Sequence, residues 1–319
     1  MKQVLNIFDL TGNTERKKIG LMFVAVILFV LFFVGGPDYA SPRSIKNFWN
    51  LGHIFFFAIM TYLLLIDGRL FKTRSVYQKL FFCLFIAVLI GAGIELIQSG
   101  INRRLDIYDL WRDILGALIG FFCAPLAFTR RVKIISSVSL AALLIIQLTP
   151  WILDLADEIE AHRQFPLLSG FESELELTRW KGSAAMAISK SQVISGDYAL
   201  KIDFGTEQYS GLGLRYFPAD WSPFGSLIFA LYNPDRELAI TVRIHDEQHA
   251  ASGNAYADRF NRLVTLKKGW NAVVIDLEAV AAAPDARRMD LSRIRDFSIF
   301  VTAQADSRTV YLDEVSLLE

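Results

Sequence analysis

Residues 93–116 read GIELIQSGINRRLDIYDLWRDILG, a stretch that begins inside one apolar run and ends inside the next. It contains three aspartates, three arginines, one glutamate and one glutamine. An ionisable side chain at the centre of a membrane helix costs at least about 2.5–3.5 kcal/mol, so such groups face one another or a water-filled cavity. The stretch therefore predicts a bundle of membrane helices with a polar cluster where two of them meet.

Apolar runs on both sides of this stretch predict how many helices the bundle has. The chain has 319 residues, 53% of them hydrophobic, and a mean hydropathy of +0.35. About 20 apolar residues cross a bilayer as a helix. Five runs have about that length, namely 19–36, 48–66, 77–98, 110–128 and 134–153. We predict five transmembrane helices over residues 19–153, after an N-terminal segment over 1–18.

Basic residues in the short loops predict the orientation of these helices, because cytoplasmic loops are enriched in Lys and Arg. Ten such residues flank one side of the five predicted helices and four flank the other. The N-terminus is therefore expected in the cytoplasm, and five crossings place everything after residue 153 outside. We expect a multi-pass protein of the cytoplasmic membrane, with membrane lipids as partners, a connector over 154–170 and an extracytoplasmic domain over 171–319.

Polar residues from three predicted helices fall at about the same depth, near the outer membrane boundary. Glu95 and Gln98 lie one turn apart near the end of the third helix. Asp109 and Asp113 are four residues apart at the start of the fourth helix and share a face. His53 lies about five residues into the second helix, which runs inward. We expect these side chains to form a polar pocket.

Two main interpretations of this pocket stay open. In the first, Glu95, Arg112 and the aspartates form ion pairs that hold the bundle together. In the second, the pocket binds the phosphate or sugar head group of a lipid or envelope precursor, or carries out acid–base chemistry. A third interpretation is that the charged groups only reach towards the lipid head groups.

The order of these motifs resembles the VanZ-like membrane family over about residues 20–130. The resemblance rests on NLGHIFFFAIMTYLLL (50–65), GIELIQ (93–98), an arginine-containing loop and DLWRDILGALIG (109–120). It marks the positions His53, Glu95, Gln98, Arg104, Asp109, Asp113, Gly116 and Gly120. Family members often have Asn where this chain has Asp113. The resemblance implies a bacterial envelope protein with a role in envelope maintenance or glycopeptide-antibiotic tolerance, but it implies no reaction.

The glycines at 116 and 120 are four residues apart on the fourth predicted helix. Small residues at this spacing let two membrane helices approach closely. Helix packing is therefore the role that we expect for them.

From residue 171 onwards, short segments alternate apolar and polar residues. Examples are YALKIDF (198–204), LAITVRIHD (238–246) and TVYLDEVSL (309–317), and turn residues such as NPD (233–235) separate the segments. Many short strands with regular turns are typical of an antiparallel sandwich. The predicted fold class is therefore an α-helical transmembrane bundle followed by an all-β jelly-roll sandwich.

The C-terminal region is similar to carbohydrate-binding modules with a galactose-binding jelly-roll fold. The similarity rests on FE (171–172), SGDYALKIDF (195–204), DWSPFGSLIFALYNP (220–234) and YLDEVSL (311–317). It implies a glycan or another cell-envelope ligand. It also implies a structural calcium ion, held by Glu172 and Asp313 with further oxygens from Asp197 or its neighbours. The alternative is that these acids are ordinary surface residues.

The segment RIHDEQHAASGNAYADRFN (243–261) holds further candidate ligand-binding residues. We predict a polar binding surface formed by Asp246, His249, Asp258, Arg259 and Asn261. Zinc binding by His245, Asp246 and His249 is a weaker alternative, since strand alternation points His245 and Asp246 to opposite faces. Hydrogen bonding within the loop is the other. Aromatic platforms for sugar rings are available at Trp180, Tyr209, Trp221 and Tyr256.

Three functions are compatible with these features. The first is a non-enzymatic envelope protein whose bundle anchors a glycan-binding sandwich. The second is a membrane enzyme acting on a lipid-linked envelope precursor through His53, Glu95, Asp109 and Asp113. The third is an assembly scaffold whose sandwich binds protein. No P-loop, zinc-protease helix motif or G-x-S-x-G elbow occurs, and no basic motif for nucleic acid accompanies the net charge of zero.

Overall fold

Helices occupy the first half of the chain and strands the second. The computed structural model describes the backbone of residues 2–38, 41–66, 71, 73–100 and 107–319, and the side chains of these residues from 15 onwards except 99 and 100. The chain divides into two units, Met1–Ile152 and Leu153–Glu319. The predicted sequence of a helical region followed by an antiparallel β-sandwich is confirmed.

Six helices precede the sandwich in the described residues. They are α1 (Lys2–Leu31), α2 (Arg43–Asn50), α3 (Gly52–Ile66), α4 (Val76–Gly100), α5 (Ile107–Cys123) and α6 (Arg130–Gln164). The predicted count of five is not confirmed, because the second apolar run is divided between α2 and α3 at Leu51. Residues 154–164, in the expected connector, continue α6.

Three helical stretches are long and apolar enough to cross a membrane, judged by length and composition in the described residues. They are Arg43–Ile66, Val76–Gln98 and Arg130–Gln164. Large apolar side chains on these helices are exposed, including Phe85 and Ile135. Such surfaces are unfavourable in water and favourable in lipid. The three helices indicate a membrane protein.

Helices α3 and α5 pack closely because α5 presents glycines to α3. A Cβ atom on Gly116 would lie 2.5 Å from the carbonyl oxygen of Ile54, and one on Gly120 would lie 2.2 Å from that of Ala58. Any larger residue would force the helices apart. The four-residue spacing therefore has the packing role that we expect from the sequence.

The sandwich consists of two antiparallel sheets built from eleven strands. One sheet has the order β3-β4-β11-β6-β9, with β1 also paired to β11, and the other has the order β2-β5-β10-β7-β8. The strands are β1 (Leu167–Ser169), β2 (Trp180–Gly182), β3 (Ala185–Ser189), β4 (Ala199–Phe204), β5 (Tyr209–Leu214), β6 (Ser226–Asn233), β7 (Leu238–Asp246), β8 (Phe260–Leu266), β9 (Gly269–Asp276), β10 (Ile294–Thr302) and β11 (Arg308–Leu318).

Apolar residues at alternate positions of these strands form one core between the sheets. Along β7, for example, Leu238, Ile240 and Val242 are buried and contribute to the core. Trp180 and Trp221 are also fully buried in this core. The prediction that these two tryptophans offer platforms for sugar rings was wrong, because neither ring reaches the surface. The indole N–H of Trp180 instead donates to the Ser169 hydroxyl.

Candidate functional site

The helical unit brings a histidine of α3 against two aspartates of α5. His53 Nδ1 lies 2.8 Å from Asp113 Oδ1, and His53 Nε2 lies 3.7 Å from Asp109 Oδ2. Asp109 also pairs with Arg112 one turn away. His53 and Asp113 are buried. Because the two aspartates are four residues apart on one face of α5, both can face the same imidazole.

Glycine in α4 makes room for the Asp113 carboxylate. A Cβ atom on Gly91 would lie 2.1 Å from Asp113 Oδ2. When His53 Nδ1 is protonated it donates a hydrogen bond to Asp113 Oδ1, and Nε2 is then the nitrogen that faces Asp109. The arrangement fixes the imidazole ring and its tautomer, as a base or a ligand nitrogen requires.

Glu95 joins this group from α4. His53, Glu95 and Asp109 each present a nitrogen or oxygen atom, and the three atoms lie within 4.8 Å of one another. Gln98, one turn further, instead donates its amide N–H to the carbonyl oxygen of Phe32 at 3.0 Å. Arg104 lies outside the described residues. The structure therefore brings five of the seven predicted pocket residues together, and Gln98 links α4 to the segment that follows α1.

In the sandwich, outward-facing residues of the β2-β5-β10-β7-β8 sheet form a row across all five strands. Lys181 is paired in register with Gly213, Gly213 with Ser298, Ser298 with Arg243, and Arg243 with Asn261. Register places these side chains on one face, since neighbours in a row point the same way. The row crosses the middle of an open groove.

Glycines give the groove its depth. A Cβ atom on Gly211 would lie 2.2 Å from Phe300 Cβ, and one on Gly213 would lie 2.5 Å from Ser298 Oγ. The exposed ring of Tyr209 stands at the edge and contacts Phe300. The groove has a volume of about 370 Å³, at the lower end of the range of ligand sites. Its lining residues are Lys181, Gly182, Ser183, Tyr209, Gly211, Leu212, Gly213, Arg215, Arg243, Arg259, Ser298 and Phe300.

A buried aspartate holds the groove arginines in place. Arg243 Nη2 donates to Asp296 Oδ2 at 3.1 Å and to the Ser298 hydroxyl at 3.2 Å. Arg215 Nε lies 3.5 Å from Asp296 Oδ1. Burial lowers the pKa of His245, whose Nε2 lies 3.7 Å from Asp296 Oδ2. Asp296 thus positions two arginines that line the groove without being exposed itself.

Three of the predicted ligand-binding residues form a buried network around an arginine that sequence analysis missed. Arg287 donates from Nη2 to Asp246 Oδ1 and from Nε to Asp258 Oδ1, each at 2.7 Å. His249 Nδ1 lies 3.2 Å from Asp258 Oδ2. Hydrogen bonds from Arg287 lower the pKa of Asp258 to about 2. In the fully described stretch 107–319, these residues are absent from the groove lining.

The other two predicted residues are in or next to the groove. Arg259 lines it, and Asn261 lies at the end of the row described above. Arg243 and Phe300 were not predicted as groove residues, although the alternation of side chains along a strand places both on the outward face of the sheet. The alternating glycines of YSGLGL (209–214) were a second signal, because beyond Tyr209 they leave one face of β5 without side chains.

The predicted calcium ligands bind backbone N–H groups of one loop. Glu172 accepts from the N–H of Asp197 at 3.0 Å and of Tyr198 at 3.2 Å. Asp313 accepts from the N–H of Ile194 at 2.8 Å. Calcium takes oxygen ligands, and N–H donors do not fit it. As arranged, these carboxylates hold the loop, and the calcium site stays a prediction that thermal unfolding with added calcium can test.

Comparison with known proteins finds that the N-terminal part of the chain is similar to the VanZ/LLP1 family. The model of the VanZ/LLP1 family matches residues 6–128. No curated protein matches the chain. The resemblance seen in the helical motifs is therefore confirmed.

Solved structures similar to the sandwich include carbohydrate-binding modules and glycoside hydrolases. The family 11 carbohydrate-binding module of Clostridium thermocellum, in complex with a β-1,3-1,4-mixed-linked tetrasaccharide, is 17% identical, covers 48% of this chain and 94% of its own, and has a TM-score of 0.37. An exo-β-agarase is 20% identical, with a TM-score of 0.39 over 47% of this chain. The match spans only 24% of that agarase.

Proposed function

We propose that this chain is a cell-envelope membrane protein whose helical unit anchors a glycan-binding sandwich. The N-terminus is cytoplasmic and the sandwich extracytoplasmic, as the distribution of Lys and Arg in the short loops supports. The observation that carries the proposal is the groove, which combines an exposed tyrosine, a glycine floor and fixed hydrogen-bond donors. The protein acts by retaining a saccharide at the membrane surface and not by transforming it.

The groove has the chemistry that sugar recognition requires. Sugar rings have apolar faces and polar edges, so a binding site needs a flat aromatic surface beside directed donors. Tyr209 is 61% exposed and supplies the surface. Arg243 is fixed by Asp296 and Ser298, so it loses little conformational entropy when a ligand hydroxyl binds.

Replacing the groove tyrosine tests this proposal. We expect Tyr209→Ala to weaken binding of the preferred saccharide at least about tenfold, since about 1.4 kcal/mol of contact would be lost. Trp270→Ala is the matched control, because Trp270 belongs to the opposite sheet and contacts Tyr232. The measurement is the affinity of the intact protein, in mild detergent, for envelope polysaccharides and for the saccharides of a glycan array. Recovery of a protein partner with no glycan would support the scaffold hypothesis instead.

The histidine cluster of the helical unit supports a second candidate function. His53 is held by Asp113 so that its other nitrogen faces Asp109. This group could bind, or transfer protons to, the head group of a lipid-linked envelope precursor. The observation that favours the candidate is the closeness of Glu95, Asp109 and the imidazole, because packing of the helices alone does not require all three.

A substitution of the histidine separates this candidate from a structural role. We expect His53→Ala to lose lipids that mass spectrometry detects with the wild-type protein purified in mild detergent. Its thermal stability should also fall, because the buried Asp113 loses its hydrogen-bond partner, so the lipid content is measured at a temperature at which the variant is folded. His162→Ala, in which an exposed histidine is replaced, is the control and should change neither property. Loss of stability together with unchanged lipid content would show that the cluster only holds the helices together.

A further inference from the structure

Positive charge is in excess along the groove. Four of its lining residues are basic, Lys181, Arg215, Arg243 and Arg259, and within the described stretch 107–319 no Asp or Glu lines it. The buried Asp296 beneath the groove hydrogen-bonds Arg243 and pairs with Arg215. One carboxylate therefore serves two of the four cations.

Arg259 forms no ion pair within 4.0 Å among the described residues, and the charge of Asp296 acts on it only from a greater distance. Arg259 is half-buried, its Nε makes no hydrogen bond, and its guanidinium lies 5.1 Å from the centre of the Tyr256 ring. Burial, followed by the neighbouring charge of Arg243, lowers the pKa of Arg259. A partly buried cation without a close counter-ion is costly, and an anion that enters beside it reduces that cost.

The positive charge extends over much of the groove. Lys181 is exposed, lacks an ion pair in the described stretch 107–319, and lies on β2, the edge strand. Arg243 lies on β7, three strands away in the same row. Strands are about 4.8 Å apart, so the row spans about 14 Å between these backbone positions. A ligand that carries several anionic groups matches this distribution better than a single ion does.

We propose that the groove selects an acidic glycan, a saccharide whose rings carry carboxylate or sulfate groups, with one anionic group bound at Arg259. The inference rests on the proposed glycan-binding function and adds the charge class of the ligand. The planar guanidinium matches a carboxylate or sulfate with two parallel hydrogen bonds. The sugar ring then lies against the aromatic edge of the groove, near Tyr209.

The test compares ligands that differ only in charge. The intact protein in a neutral detergent is titrated calorimetrically with a tetragalacturonate, with its fully methyl-esterified form, and with sulfated and desulfated galactan tetrasaccharides. We expect at least one acidic ligand to bind at least about tenfold more tightly than its neutral counterpart. Raising the salt concentration from about 0.05 M to about 0.5 M should weaken acidic binding and leave neutral binding unchanged.

Charge-removing variants assign the site. We expect Arg259→Gln to lose about tenfold or more in affinity for the acidic ligand and to leave neutral binding within about twofold. Lys181→Gln, at an exposed position, is the second variant, because it keeps the test valid if Arg259→Gln does not fold. Arg236→Gln, which breaks an exposed pair with Asp306, is the control and should change nothing.

Two results would overturn the inference, and they differ from failure of the proposed function. Equal affinity for the charged and esterified ligands, with no effect of either variant, shows that the groove binds glycans without selecting charge. If inorganic phosphate displaces the bound acidic tetrasaccharide as effectively as free acidic tetrasaccharide does, the groove binds anions without recognising sugar. Binding of no saccharide in any charge state would remove the glycan-binding function itself.

Discussion

Replacing Arg179 with methionine should lower the free energy of unfolding of the C-terminal unit by about 3–5 kcal/mol. Arg179 is fully buried. Its Nε donates to both carboxylate oxygens of Asp157 at 3.0 Å, and its Nη1 donates to the carbonyl oxygen of Leu168 at 3.1 Å. Methionine fills much of the volume but offers no donor. A buried carboxylate would then lose its counter-ion, which costs far more than the loss of an exposed pair.

Chemical denaturation of the intact protein in mild detergent, followed by tryptophan fluorescence, measures this effect. The buried Trp180 and Trp221 report on the sandwich core. Arg288→Met is the control, since the Arg288–Glu278 pair is exposed and its loss should cost less than about 1 kcal/mol. Adding Asp157→Leu to Arg179→Met should restore only part of the stability, because Asp157 is then no longer a buried unpaired charge, whereas the buried Glu176 still lacks Arg179 beside it. A single variant as stable as the control would contradict the assigned role.

The local pattern of apolar and polar residues predicted those strands and helices in which buried positions recur at a regular spacing along the chain. The segment LAITVRIHD became β7 with the expected bounds, because its large apolar residues recur at every second position and all of them enter the core. Apolar runs likewise located the helices. The division between α2 and α3 was missed, because it is a small irregularity in which Leu51 keeps helical backbone angles (φ −66°, ψ −18°).

The groove could not be predicted from local pattern, because it depends on strand register. Lys181 and Asn261 are 80 positions apart in the chain, yet they end one row of a five-stranded sheet. Register of that kind is set by pairings between distant segments. Strands β2 and β5 also gave weak signals, since one has three residues and the other contains two glycines. The ion pair of Arg179 with Asp157 was also missed, because no local sequence pattern shows which acid pairs with Arg179.

Replacing Arg287 with leucine should lower the free energy of unfolding by about 3 kcal/mol near neutral pH. Arg287 hydrogen-bonds both Asp246 and Asp258, and Asp246 is buried. Burial alone would raise the pKa of Asp246, but hydrogen bonds from Arg287 and from the N–H of Asp290 outweigh it and lower the pKa. Without the guanidinium, two acids remain together in a site with little water. Arg236→Leu, at an exposed pair, should have a much smaller effect.

Acid titration of stability distinguishes this charge effect from simple loss of packing at Arg287. The pKa of Asp258 is about 2 in the folded protein and about 3.9 in an unfolded chain. A lowered pKa contributes stability that is fully present above the unfolded value and is lost as the pH falls through the folded value. The wild type should therefore lose this stability between about pH 5 and about pH 2, while Arg287→Leu changes less, so their difference narrows with acid. A difference that stays constant over this range would show that Arg287 stabilises the sandwich through packing alone.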